Sequence, residues 1–156
     1  MKKVLIALDY NPSAQKVAET GYSMAKAMHA EISLLHVVAD PTYYSSPEYS
    51  PIMGFDGFME TGQLLLNSVE ALENASLHFL DKSRLHLGDK TIKTMVKKGD
   101  VAESILIAAD ELHADIIVVG SHSRKWLENI VMGSVTEKVL HNTKIPLFIV
   151  PTRNKK

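Results

Sequence analysis

Two glycine-bearing turns, Gly120-Ser121-His122-Ser123 and Gly133-Ser134-Val135-Thr136, stand nine residues apart and have the makings of an anion site. The first ends a run that reads as a buried strand, Ile116 to Val119, and the second opens an amphipathic stretch. A chain that leaves a strand at glycine and re-enters a helix at Gly-Ser offers backbone N–H groups beside a positive helix end, which suits phosphate or another anion. Glycine lets such a group approach the bare backbone and tolerates positive φ. Ser134 suits the N-cap of that helix. Its hydroxyl and the N–H groups of Val135 and Thr136 can converge on the same anion. Ser121 to Ser123 offer further backbone donors. His122 and Arg124 are open to two readings, phosphate partners or solvated loop side chains.

Asp9 closes the first apolar run, Val4 to Leu8. It can cap the helix that follows, or accept hydrogen bonds from a ribose hydroxyl as carboxylates do in other nucleotide folds. Catalytic signatures are missing. There is no nucleophile elbow, no Walker G-x4-G-K-[ST], and no G-x-G-x-x-G after the first strand. Glu128 and Glu137 lie near the phosphate stretch, one read as exposed and the other as a helix residue, so no base or charge clamp stands out. Hydrolysis should then be slow at best. The seven histidines show no ligand spacing such as H-E-x-x-H and are expected at surface or boundary positions. No catalytic residue and no protein-held metal is therefore assigned.

The elements that must position these groups alternate regularly. Lys3 to Leu8 and Ile32 to Val38 are continuous apolar runs of strand length, as expected of strands covered on both faces. Asn11-Pro12 reads as an N-cap followed by proline at the first helical position. Ala14, Val17, Ala18, Gly21, Ala25 and Met28 then give one apolar stripe. Residues 40–58 break every period with prolines, tyrosines and glycines, and read as a long connection. With Tyr43, Tyr44, Phe55 and Phe58 it can be a flap or a partner surface. Leu65 to Leu87 reads as a long helix stopped by Gly88-Asp89. Thr91 to Lys97 reads as an edge strand with Ile92, Thr94 and Val96 on one face and a wet face carrying Lys93, Met95 and Lys97. Asp100 and Glu103 suggest a capping box on the next helix. Leu147 to Val150 is the fifth strand, and Val135 and Val139 mark the inner face of the helix before it. Five strands alternating with four helices argue for one α/β domain, residues 1–156, with an open parallel sheet.

Composition narrows the partners. A net charge of −1 leaves no electrostatic footprint for nucleic acid or an anionic membrane. No apolar run approaches the ~18 residues of a membrane span. The first residues do not resemble a signal peptide, because Asp9 cuts the apolar run short. Zero cysteines exclude disulfides and thiolate chemistry. A cytoplasmic protein is the expectation.

The glycine spacing resembles that of the universal stress protein family, ATP-binding branch, whose pattern reads G-x2-G-x9-G-[ST]. Gly120, Gly133 and Ser134 match it, Asp9 and His36-Val37 stand at the matching strand ends, and Ser123 takes the place of the second glycine. If that glycine has positive φ, serine there costs about 1–2 kcal/mol. The resemblance runs from Lys3 to Val150. It implies an adenine nucleotide alpha hydrolase-like sheet of strand order 3-2-1-4-5, with helices on both faces and its switch point between strands one and four. Asp9 and Gly120 would then face one another. It further implies ATP, with magnesium or manganese carried on the phosphates. The nucleotide residues would be Ala7, Leu8, Asp9, Val37, Val119, Gly120, Ser121, His122, Ser123, Arg124, Gly133, Ser134, Val135 and Thr136. A homodimer through the fifth strand, Ile145 to Thr152, is also implied. The apolar edge bracketed by Pro146 and Pro151 suits such pairing. Two further readings stay open. One is a nucleotide-free interaction or scaffold member of the same family, which Ser123 favours. The other is a slow ATP-using enzyme of a related adenosine-binding fold, against which stands the lack of Ser-Gly-Gly-x-Asp-Ser and His-x-Gly-His.

Overall fold

Val4, Leu5 and Ile6 are each at most 1% exposed, so successive side chains that must point to opposite faces of a strand are all buried. That requires helices on both faces. The computed structural model, which describes residues 1–9, 12–39, 69–121 and 132–152, has them. The described elements run β1 (Lys3–Ala7), α1 (Ala14–Ala27), β2 (Glu31–Val38), α2 (Val69–Leu87), β3 (Lys93–Lys98), α3 (Val101–Glu111), β4 (Ile116–Gly120), α4 (Ser134–Asn142) and β5 (Leu147–Val150). The sheet is parallel, in the order β3-β2-β1-β4-β5. Its fold class and strand order are those expected. The readings placed on Asn11, on the 40–58 connection, on Leu65, and on His122, Ser123, Arg124 and Glu128 fall outside the described residues.

Two cores flank the sheet. Val4, Ile6, Leu34 and Val118 pack with Val17, Phe79 and Leu80 under α1 and α2. Leu5, Leu35, Ile117 and Val119 pack with Ile105, Ala109 and Val139 under α3 and α4. Helix α1 lies close on the sheet: a Cβ on Gly21 would stand 2.9 Å from Ile6 Cδ1 and 3.1 Å from Val118 Cγ1. At the amino edge, Asp115 ties β4 to β1, accepting from the Lys3 N–H at 2.8 Å and the Lys2 ammonium at 3.3 Å.

The helix ends show where local chemistry decides. Asp100 caps α3 by accepting from the Glu103 N–H at 2.9 Å, its half of the expected box. Gly88, at φ +70, stops α2 as expected. Asp89 then accepts from the Thr91 hydroxyl at 2.6 Å, the Thr91 N–H at 2.9 Å and Lys26 at 3.2 Å, which hold its carboxyl down at about 2. Helices α1 and α3 end without glycine. His29 and His113 adopt φ 53 and 52. The following alanines close the motif, Ala30 N–H on the Ala25 carbonyl and Ala114 N–H on the Ala109 carbonyl, both at 2.9 Å.

Three local expectations are corrected. Helix α1 starts at Ala14 with Ser13 in the N-cap place, so Pro12 precedes the helix instead of opening it. β3 is an edge strand, but its supposedly wet face is partly covered by α3. Met95 packs into that core and Lys97 pairs with Glu111 at 2.6 Å. His36 is buried at 1% exposure, because it sits in a strand with a helix layer on either side.

Candidate functional site

β1, β2 and β4 end side by side, and beyond their carboxyl ends opens a cleft of about 560 Å³, its mouth included. Ala7, Leu8 and Asp9 come from β1 and its exit, Leu35, His36 and Val37 from β2, and Val119 and Gly120 from β4. Ser13, Ala14 and Val17 enter from α1, Val101 and Ile105 from α3, and Val135 and Thr136 from the first turn of α4. The cleft sits where the chain runs outward in both directions from β1, the place where open α/β sheets hold ligands. Asp9 and Gly120 line it together, as the strand order requires.

Eight of the expected residues therefore share one cavity: Ala7, Leu8, Asp9, Val37, Val119, Gly120, Val135 and Thr136. Ser121 and Ser134 stand next to lining residues in the chain, and Gly133 one residue further out, without lining the cleft themselves. The cleft also takes in seven residues that the sequence reading did not assign to it: Ser13, Ala14, Val17, Leu35, His36, Val101 and Ile105. Only His36 carried a signal, as a polar residue inside an otherwise apolar strand beside Val37. The others are ordinary core types whose part depends on which helix ends point at the switch.

Several donors expected to face a phosphate are already engaged. The Ser121 N–H donates to the Val150 carbonyl at 2.9 Å, continuing the β4–β5 ladder. The Ser121 carbonyl accepts from the Gly133 N–H at 2.6 Å, joining the residue after β4 to the N-cap of α4. The Ser121 hydroxyl accepts from the Thr152 N–H at 3.0 Å. Thr136, 2% exposed, donates its hydroxyl to the Gly120 carbonyl at 2.7 Å. Ser121 and Thr136 thus brace the site and do not offer their N–H and O–H, respectively, to a ligand.

Gly133, not Ser134, is the N-cap of α4; its φ −68 and ψ 154 are extended angles open to any residue. Ser134 is the first helical residue and is exposed. The first bond of α4 joins the Glu137 N–H to the Gly133 carbonyl at 3.0 Å. The N–H groups of Ser134, Val135 and Thr136 precede that pairing, at the positive end of the helix.

His36 also lines the cleft. Its Nδ1 lies 2.8 Å from the Leu8 carbonyl, and its ring meets Phe79 edge-on at 5.7 Å between centroids. Burial pushes its pKa down to about 4, against a smaller upward pull from the Leu8 carbonyl, so the ring is neutral near pH 7. A carbonyl only accepts, which makes Nδ1 the protonated nitrogen.

The family model described as the universal stress protein family matches residues 1–151. Universal stress protein MJ0577 of Methanocaldococcus jannaschii is 25% identical over 156 residues, covering 98% of this chain and 96% of its own. Its solved structure superposes with a TM-score of 0.73 over 99% of this chain and 98% of that one. A universal stress protein family protein of Arabidopsis thaliana with AMP bound superposes at 0.61, with 19% identity over 99% and 93% of the two chains. A universal stress protein in complex with cAMP superposes at 0.60, with 18% identity over 97% and 98%. Sheet order, cleft position and a model match over nearly the whole chain converge: this chain belongs to the universal stress protein family.

Proposed function

We propose that the chain is an ATP-binding universal stress protein, a nucleotide-responsive cytoplasmic homodimer with little or no hydrolysis. One observation carries this reading: the switch-point cleft joins Asp9, Val37 and Gly120 to the first turn of α4. Apolar walls from Leu35, Val37, Val101, Ile105 and Val119 suit a planar base, and Asp9 suits ribose hydroxyls. The N–H groups of Ser134 to Thr136 suit the phosphates. Proteins of this fold hold AMP and cAMP, so the fold accommodates an adenine nucleotide. No group of three His, Asp or Glu side chains gathers among the described residues. Magnesium or manganese, where bound, would ride on the phosphates. The homodimer places β5, an edge strand whose Phe148 is 37% exposed, against its copy.

A nucleotide-free scaffold role is the second reading. It is favoured by the engaged N–H groups of Ser121 and Gly133, and by Ser123 where the family pattern has glycine. Calorimetric titration of nucleotide-stripped protein with ATP and competing nucleotides separates the two. Losing a hydrogen bond to a charged group costs roughly 1.5–3 kcal/mol, so Ser134→Ala should weaken ATP about ten-fold to a hundred-fold. Gly133→Val should weaken it further. Valine accepts the extended backbone at that position, so this variant should fold. Unchanged affinity in both variants would sink the placement, and no heat with any nucleotide would favour the scaffold.

A further inference from the structure

The β1–β2 ladder ends at the pair Ala7 and Leu35, one residue short of the lining segment Leu8-Asp9. Leu8 is nevertheless gripped on both of its peptide groups. Its N–H donates to the Leu35 carbonyl at 2.8 Å, and its carbonyl accepts from the His36 ring at 2.8 Å. The ring is itself held, buried at 1% exposure and set edge-on against Phe79. We infer that His36 is a positioning residue for the ligand: its Nδ1–H, fixed on the Leu8 carbonyl, sets the peptide from which Asp9 enters the cleft. This deepens the nucleotide reading and rests on it.

The geometry explains why histidine is placed there. The carbonyl of Leu8, a residue 5% exposed, lies past the regular ladder and needs a donor from inside the protein. A neutral imidazole supplies one N–H without bringing a charge into the core. It also fills an apolar gap against Phe79. Burial keeps the ring neutral near pH 7, and the Leu8 carbonyl, which can only accept, fixes its single proton on Nδ1.

Two substitutions divide the ring's jobs. Asparagine carries its amide nitrogen on the γ-carbon, as histidine carries Nδ1, so His36→Asn keeps the donor and loses the packing. His36→Leu keeps the packing and loses the donor. The two should therefore rank oppositely in two assays. ATP affinity of the stripped full chain should stay within about three-fold of wild type in the asparagine variant and fall about ten-fold in the leucine variant. Thermal midpoints without nucleotide should run the other way, leucine above asparagine, because asparagine leaves a void. A purely structural role predicts that affinity follows stability, and that ranking would overturn the inference. The amide resonance of Asp9, recorded without nucleotide, should move in the leucine variant and hold in the asparagine one. A wild type that takes up no ATP overturns the nucleotide reading itself, and the Asp9 resonance tells that failure apart from a failure of the His36 contact.

Discussion

Acid should destabilise this protein through His36, beginning above the pH at which carboxylates titrate. In the unfolded chain a histidine takes up its proton near the ordinary value of about 6.5. In the folded chain burial holds His36 at about 4. Stability is therefore whole above about pH 6.5 and is lost as the pH falls toward 4, because only the unfolded state gains the proton in that window. Between pH 7 and pH 5 the difference amounts to about 2 kcal/mol, rising to roughly 3 kcal/mol near pH 4. The assay is urea unfolding at a series of pH values, with the m-value checked for constancy. His36→Asn is the control, since it removes the titrating ring and leaves every other group in place. Wild type should lose about 2 kcal/mol more than the variant between pH 7 and 5. Equal slopes in the two proteins would refute the buried, neutral ring.

Two further outcomes test other parts of the molecule. His29→Gly and His113→Gly should each stabilise the fold by about 1 kcal/mol, since glycine removes the steric cost of the left-handed turn; a lower thermal midpoint in both would contradict the caps described. Phe148→Lys should convert the proposed dimer to a monomer in size exclusion with light scattering, and a dimer indifferent to it, or a monomeric wild type, would remove β5 as the interface. Phe148 is the better probe than Ile149, which packs inward against the α3–α4 core.

The sheet was legible because a strand covered on both faces must be apolar at every position, as Val4 to Ile6 and Leu34-Leu35 are. Gly88 and Asp100 announced a helix stop and a helix start because each acts through its own backbone or side chain. What escaped depended on partners distant in sequence. The Ser121 N–H looks free in the chain, and only the β4–β5 register gives it to Val150. The same holds for Thr136, whose hydroxyl is spent on Gly120 sixteen residues earlier. His36 departs from the surface or boundary place expected of the histidines, because its apolar strand neighbours, and not its residue type, decide its burial. The turns at His29 and His113 carry no glycine to betray them. The site was thus legible as a place, at the ends of β1, β2 and β4, and less so as a set of free donors.

The most direct test of the central claim is where ATP perturbs the protein. With isotope-labelled, nucleotide-stripped protein, added ATP should shift the amide resonances of Ala7 to Asp9, Val37, Gly120 and Ser134 to Thr136. Those of Lys3 and Asp115, at the opposite edge of the sheet, should stay still. Shifts confined to other surfaces, or none at saturating ATP, would contradict a nucleotide site at the switch point.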